Sequence, residues 1–256
     1  MRNLFYNCFA SRGCAEAWRD NVRHLCRYGD IFNHRKVVVI KVDDSAEDVD
    51  VVQEEFRPLG DVEFIVWPND PVLHEKAGFI ETLEMLRSDR PDEITFYAHT
   101  KGTGQPDRHP DHCTSIRQWR NRLYFESLSD PEKVDAVMEK YAACGRYLIR
   151  DHFINGLTMK WLFGGTFWWV NHQRLFSKPT WREIIDRRDG PEAYLSTLFE
   201  LDEIFVLYDA AINWYFDIFK EGNCPGCGRV VVKNEETRCP QCGEPVEVTG
   251  VADMYY

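Results

Sequence analysis

Four cysteines near the end of the sequence have the spacing of a metal site. Cys224 and Cys227 stand in CPGC, Cys239 and Cys242 stand in CPQC, and eleven residues separate the pairs. Two such pairs, each on a tight turn set by proline and glycine, form a tetrahedral thiolate cage for Zn²⁺. Four thiolates leave no open position for water, so we expect a structural zinc. Any catalytic chemistry must then lie upstream.

The other cysteines show no framework spacing; they are Cys8, Cys14, Cys26, Cys113 and Cys144. The first apolar stretch, LFYNCF, is too short for a signal peptide and is interrupted by Asn7. No apolar run approaches membrane length. We therefore expect free thiols in a reducing cytoplasm, with no membrane partner, rather than disulfides in a secreted tail.

A second set of polar residues follows predicted strands. The pattern predicts strands at 3–8, 36–42, 62–67 and 93–98, with helices at 15–27, 46–57 and 73–86. Strands separated by helices of this length indicate β-α-β units and a parallel sheet. Ligands of such sheets bind beyond the carboxyl ends of the strands. VDDS (42–45), WPND (67–70) and HTKG (99–102) would stand at that edge.

The YAHTKG motif at 97–102 offers the most chemistry. Lys101 can present a positive charge to a diphosphate, and Gly102 lets a ligand approach the backbone closely. His99 is suited to be a metal ligand, a phosphate donor or a base. Asp43 and Asp44 can hold the ribose or base of a nucleotide. A polar loop of ordinary kind would also fit this stretch.

Further candidates lie in the second half, where we predict helices at 116–128, 130–145, 182–187 and 191–200 and strands at 146–150, 166–170 and 204–208. In LFGGTFWWV (162–170), Trp168 and Trp169 would place one indole on each face of a strand. Arg187 and Arg188 can bind phosphate. The acid–base candidates there are Asp151, His152 and Glu192.

Length and charge bound the organisation. The 256 residues suit one α/β domain at 1–220 and a zinc module at 221–256. The net charge of −11 argues against a generic nucleic-acid binder. The charge is nevertheless segregated: residues 42–95 carry −12, whereas 1–36 and 140–188 carry +4 and +6. The sequence lacks the motifs GxGxxG, GxxxxGK[ST], GxSxG and HExxH. Their absence disfavours a dinucleotide dehydrogenase, a P-loop enzyme, an α/β-hydrolase and a zincin.

Taken in order, four segments resemble a family of bacterial and phage glycosyltransferases of the GT-A type. They are YAHTKG at 97–102, the pair Trp119–Arg120, LFGGTFWWV at 162–170, and Arg188 followed by Glu192, with Tyr194 where the family has Trp. The chain departs from the family at Leu162, Gly164 and Thr166, where His, Ser and Asn are typical. It also has no Asp-x-Asp metal motif, and residues 99–101 stand in its place.

The resemblance implies a GT-A-like, Rossmann-like three-layer domain with a mostly parallel sheet. It implies a nucleotide-diphosphate sugar as donor, a UDP-sugar above all, and a location in the host cytoplasm if a phage encodes the chain. Dependence on Mn²⁺ or Mg²⁺ stays open, because Lys101 with Arg187 or Arg188 can stabilise the leaving diphosphate instead. The implied catalytic set is His99, Lys101, Asp151, His152 and Glu192. The implied donor-binding set is Asp43, Asp44, Tyr97, Thr100, Gly102, Trp168, Arg187 and Arg188.

The acceptor is less defined. The cationic segments suit a phosphate backbone, and related phage enzymes glycosylate hydroxymethylated bases in DNA. The predicted zinc ribbon, however, carries six acids and three bases between residues 221 and 253. A saccharide, a protein or a small molecule therefore remains an alternative acceptor. A non-catalytic nucleotide-binding adaptor with a zinc ribbon is the alternative outside enzymes.

Overall fold

The computed structural model describes residues 1–70, 72–103, 110–154, 157–208, 221–223 and 230–232. By their contacts, residues 1–106 and 123–209 form one compact unit and residues 107–122 and 210–256 another. All side chains discussed below as a site belong to the first unit. The predicted division at residue 220 stays a prediction.

The described helices are α1 (Ala15–Arg27), α2 (Val49–Glu55), α3 (Phe79–Leu86), α4 (Pro110–Leu128), α5 (Pro131–Met138), α6 (His172–Phe176) and α7 (Gly190–Leu198). The strands are β1 (Arg2–Phe9), β2 (Lys36–Val42), β3 (Glu63–Pro68), β4 (Ile94–His99), β5 (Ala143–Gly145), β6 (Leu148–Ile154), β7 (Leu157–Phe163), β8 (Trp168–Asn171), β9 (Ile204–Val206), β10 (Glu221–Asn223) and β11 (Val230–Val232).

Seven strands form one sheet in the order β3-β2-β1-β4-β8-β5-β9. Strands β1 to β4 are parallel to one another, and β8 is antiparallel to both β4 and β5. The predicted α/β class with a mostly parallel sheet is confirmed, and it is compatible with a Rossmann-like fold. Two antiparallel pairs, β6–β7 and β10–β11, stand outside this sheet.

The core follows from the burial of the central strands. Strands β2 and β4 are buried on both faces, as parallel strands covered by helices must be. On one face an aromatic cluster includes Phe5, Phe79, Tyr97, Trp168 and Tyr194. Their rings meet mostly edge to face at centroid distances between 4.8 and 6.3 Å. This cluster holds α3 and α7 against the sheet just below its carboxyl edge.

Several predicted elements differ in their bounds. The helix predicted at 73–86 is wrong in its first half: His74–Lys76 is a 3₁₀ turn, and α3 starts only after Gly78, whose φ is +77°. The helix predicted at 46–57 is limited to α2, because a 3₁₀ turn follows at Arg57–Leu59. The helix at 182–187 is wrong, since that segment is irregular.

The strand predicted at 146–150 is present as β6, which starts two residues later and ends at Ile154. The predicted helix stop at Gly145 is wrong. Gly145 ends β5 instead, and a Cβ there would come within 2.6 Å of the Phe163 ring. The helix predicted after Asp130 is confirmed as α5, with Asp130 accepting from the Lys133 amide at 2.9 Å. The aromatic strand is β8, which starts two residues later than predicted.

The predicted zinc ligands Cys224, Cys227, Cys239 and Cys242 lie outside the described residues. The described backbone nearby is β10 and β11, which pair antiparallel with Asn223 opposite Val230. No described helix is both long and apolar enough to cross a bilayer. The zinc module itself stays a prediction.

Candidate functional site at the carboxyl edge of the sheet

The order of the parallel strands reverses between β1 and β4. The chain winds outward from β1 to β2 and β3 and then returns to place β4 on the other side of β1. Ligands of open α/β sheets bind at such a switch point, beyond the carboxyl ends of the two strands. Asn7 of β1 lies opposite His99 of β4 at this edge. Residues 99–102 therefore leave the sheet where a ligand is expected.

Hydrogen bonds fix the backbone of Thr100 and Lys101 on both sides. Thr100 donates its amide to the Asn7 carbonyl at 2.9 Å, and its hydroxyl accepts from the Phe9 amide at 2.9 Å. The side chain of Asn21 on α1 accepts from the Lys101 amide at 3.1 Å and donates to the Lys101 carbonyl at 2.9 Å. The start of the Lys101 side chain is thereby held in one place.

Asn21 itself was not predicted from the sequence as a site residue. It is fully buried on α1, on the face that carries Trp18, Val22 and Leu25. An asparagine within an apolar helix stripe needs partners for its amide, and here those partners include both Lys101 backbone groups, the Ala17 carbonyl and the Tyr124 hydroxyl. That interruption of the stripe is the signal that would have found it.

The Lys101 side chain is half-buried, and three charged side chains act on its ammonium. Burial lowers the pKa of its ammonium, the carboxylates of Glu192 and Glu75 act to raise it, and Arg188 lowers it further. The net direction is below the ordinary value. These four charged side chains come from three separate segments of the chain and interact electrostatically near the switch point. Two of the predicted catalytic residues, Lys101 and Glu192, are thus brought together.

His99 is held between two hydrogen-bond acceptors. Its Nδ1 lies 2.8 Å from Oε1 of Glu75, and its Nε2 lies 3.2 Å from the Gly165 carbonyl oxygen. Both ring nitrogens therefore face an acceptor oxygen. His99 is only 7 % exposed, so these contacts occupy it fully. The contact from His99 to Gly165 connects the β7–β8 turn to the end of β4.

Glu75 is the site residue that sequence reasoning missed, because the stretch around it was predicted as a regular helix. It lies on the 3₁₀ turn next to His74, which has a φ of +45°. Burial acts to raise the pKa of Glu75, but the charge and hydrogen bond of His99 and the charge of Lys101 outweigh it. The net pKa lies well below its ordinary range. Glu75 is therefore ionised at neutral pH.

The segment 72–78 that carries Glu75 is attached to its surroundings near its C-terminal end. Lys76 forms an ion pair of 2.6 Å with Asp186, next to the arginines at 187 and 188. Lys41 on β2 donates its ammonium to the Ala77 carbonyl. Burial lowers the pKa of Lys41 to about 8, although Glu75, Glu81 and Asp70 act to raise it. This segment links the ends of β2 and β4 with the loop before α7.

Asn7 and Tyr97 form the floor beneath this group. Asn7 donates its side-chain amide to the Tyr97 hydroxyl at 3.1 Å and to the Glu75 carbonyl at 3.4 Å. Burial raises the pKa of Tyr97 well above its ordinary value, and Glu75 and Glu192 raise it further. The phenol is therefore neutral, and it is closed off as a hydrogen-bond partner of Asn7.

A second polar group lies at the ends of β2 and β3. Asp43 accepts from the Asn69 side chain at 2.5 Å and from the Ser45 amide and hydroxyl at 2.8 and 2.7 Å. Burial acts to raise the pKa of Asp43, but these hydrogen bonds lower it below its ordinary value. The carbonyl of Asp44 accepts from Arg12 at 3.2 Å. Asp43 is an exposed, ionised carboxylate with fixed orientation, as a ribose or base contact requires.

The remaining predicted residues stand apart from the switch point or inside the core. Trp168 packs on Tyr97 and Phe79 and is 2 % exposed, so no ligand reaches its ring in this structure. Asp151 and His152 lie on the β6–β7 hairpin, where His152 pairs with Met159. Gly102 has a φ of +82° and turns the chain away from β4. Arg187 is half-buried and Arg188 is exposed.

Within the described part of the chain, no three His, Cys, Asp or Glu side chains are grouped closely enough to hold a metal ion. The two carboxylates near Lys101 are too few for a protein-only metal site. The chain matches no known family model and none of the curated proteins. The resemblance to GT-A glycosyltransferases thus depends on the four motifs and on the chemistry of this edge.

Proposed function

We propose that the protein is a glycosyltransferase with a GT-A-like domain. It would move a sugar from a nucleotide-diphosphate sugar, a UDP-sugar above all, to a hydroxyl acceptor. The observation that carries the proposal is the position of Lys101: its backbone is fixed at the switch point, and its ammonium lies near Glu75, Glu192 and Arg188. A cationic side chain at this point of an open sheet suits the pyrophosphate of a nucleotide.

The reaction needs a stabilised leaving group and an activated acceptor. The acceptor hydroxyl oxygen bonds to the anomeric carbon as the bond from that carbon to the diphosphate oxygen breaks. The electron pair leaves with the diphosphate, next to Lys101 and an arginine at 187 or 188, and the hydroxyl proton passes to a base. A divalent cation, if one binds with the diphosphate, would supply further positive charge at the leaving oxygen.

Among the predicted bases, Glu192 fits the proposal best. It is half-buried at the start of α7 and close enough to influence the pKa of both Lys101 and Tyr97. Both ring nitrogens of His99 already face acceptors, and the described contacts of Asp151 and His152 lie in the β6–β7 hairpin. Asp43 would then contact the nucleoside part of the donor.

A donor panel tests the proposal. The protein is incubated with nucleotide-diphosphate sugars, with EDTA or with Mn²⁺, and nucleoside diphosphate release and thermal stabilisation are measured. We expect one donor to stabilise the protein and to be turned over faster with its acceptor present. Failure of every donor to stabilise the protein would favour the alternative of a non-catalytic adaptor. Release in EDTA would support the role of Lys101 in place of metal.

The acceptor needs its own test. We propose a polymer, with hydroxymethylated DNA as the first candidate, because residues 1–36 and 140–188 carry net charges of +4 and +6. Mass spectrometry of hydroxymethylated duplex DNA after incubation with the active donor should show a mass increase of one sugar. If the DNA stays unmodified and a saccharide or protein incubated in the same way gains a sugar, that molecule is the acceptor.

A further inference from the structure

The position of Glu75 supports a second inference, which rests on the proposed function. A carboxylate beside an anion site is unfavourable in simple Coulomb terms, since it repels the ligand. Glu75 is nevertheless ionised, and it contacts His99 directly while acting on Lys101 through its charge. Its presence therefore needs a physical reason.

The first reason is mechanical. The Glu75 carboxylate orients the His99 ring through Nδ1, and Nε2 of the same ring contacts the Gly165 carbonyl. Gly165 and Thr166 both have positive φ, of 86° and 61°, so this turn adopts a backbone conformation that is costly for Thr166. The contact from His99 helps to keep the turn in that conformation next to the end of β4.

The second reason is electrostatic. Burial and Arg188 both act against the charged form of Lys101, whereas Glu192 and Glu75 favour it. Without one of these carboxylates the ammonium would lose its proton more readily as pH rises. An unprotonated amine cannot stabilise a diphosphate. Glu75 thus acts on the ligand through two other side chains.

We propose that Glu75 is a positioning residue of the diphosphate site, which holds His99 in its orientation and keeps Lys101 charged. It touches neither the sugar nor the phosphate. Removing the charge of Glu75 should therefore weaken diphosphate binding, whereas simple charge repulsion predicts that its removal would strengthen binding.

Calorimetric titration with uridine diphosphate tests the inference, using Glu75→Gln and the control Glu81→Gln. Glu81 is exposed on α3 and is a charge neighbour of Lys41. We expect Glu75→Gln to bind about tenfold more weakly than the wild type, because the uncharged amide oxygen is a weaker acceptor for His99 than the carboxylate and no longer favours the charged form of Lys101. The control should stay within about twofold. The loss should grow as pH rises, because Lys101 of the variant loses its proton more readily than Lys101 of the wild type.

A double-mutant cycle with His99→Gln separates positioning from a general loss of structure. Glu75 acts partly through His99, so the two losses should overlap. The double variant should bind uridine diphosphate only slightly more weakly than whichever single variant has the lower affinity. If Glu75→Gln binds uridine diphosphate as tightly as the wild type or more tightly, this inference is overturned and the proposed function stands. The same follows if the losses of affinity in the two single variants add fully in the double variant and do not depend on pH. Absence of binding by the wild type would overturn the proposed function, and this inference with it.

Discussion

At the residue scale, the site depends on a few side chains whose partners are far away in the sequence. Lys101 was predicted as a site residue because it follows a strand in YAHTKG. The sequence did not predict Asn21 and Glu75 as site residues. Their partners, Lys101 and His99, are 80 and 24 residues away, and no local sequence pattern indicates these contacts. Sequence reasoning finds a functional group at the end of a strand more readily than the polar residues that hold it.

Replacing Asn21 with alanine should reduce stability and ligand binding together. The change removes both contacts to the Lys101 backbone and the acceptor for the Tyr124 hydroxyl at 3.1 Å. Unpaired buried groups cost about 1–3 kcal/mol each, so we expect a loss of about 2–4 kcal/mol. Urea unfolding measures it, with Glu16→Ala on the exposed side of α1 as control. Equal loss in both variants would contradict the role given to Asn21.

At the element scale, the strands were predicted better than the segments that join them. β2 and α1 have the predicted bounds, because a run of β-branched residues and an amphipathic stripe each determine their element locally. The stretch 73–86 also has helical periodicity, yet its first half is a 3₁₀ turn. Tertiary contacts of Glu75, Lys76 and Ala77 with residues elsewhere in the chain override the local preference there.

Gly78 is the residue at which that segment turns into α3. Its φ is +77°, and a Cβ would lie 2.9 Å from Cδ2 of Trp67. Gly78→Ala should therefore destabilise the protein by about 1–3 kcal/mol through strain and overpacking. Gly13→Ala is the matched control, because a Cβ there meets only Ser11 Oγ at 3.7 Å. Urea midpoints compare the two; an unchanged midpoint for Gly78→Ala would show that the turn adapts freely.

At the scale of the whole molecule, the two edges of the sheet differ in chemistry. The carboxyl edge carries the proposed site, and the amino edge carries a buried group around Glu93. Its carboxylate accepts from Asn3 at 2.7 Å and faces His34 and His172 at 3.2 and 3.8 Å. Thr95 contacts the other nitrogen of His172 at 2.6 Å. The sequence did not predict a role for either histidine, because neither lies in a recognisable motif.

This amino-edge group should make stability fall in acid. Burial lowers the pKa of His172 to about 4, although Glu93 acts to raise it. The pKa of Glu93 is also lowered: burial acts to raise it, but hydrogen bonds from Ser88 and Asn3 and the charges of His172 and His34 outweigh this. Between about pH 6.5 and pH 4 the unfolded chain binds protons that folded His172 does not, so stability declines.

The melting temperature measured from pH 7 to pH 4.5 checks this expectation. His172→Gln should decline less steeply than the wild type over that window, whereas His152→Gln on the β6–β7 hairpin should follow the wild type. Parallel curves for wild type and His172→Gln would refute the assignment of acid sensitivity to this group.

The central claim is that Lys101 stabilises a leaving diphosphate at the switch point. The most direct measurement is nucleoside diphosphate release from the active donor, in EDTA, by wild type, Lys101→Ala and the control Lys160→Ala. Lys160 is exposed on β7 and pairs with Glu200 at 2.7 Å, away from this edge. We expect Lys101→Ala to lose about 10²–10³-fold in turnover with an unchanged fold, and the control to keep its rate. An unaltered rate in Lys101→Ala would contradict the account.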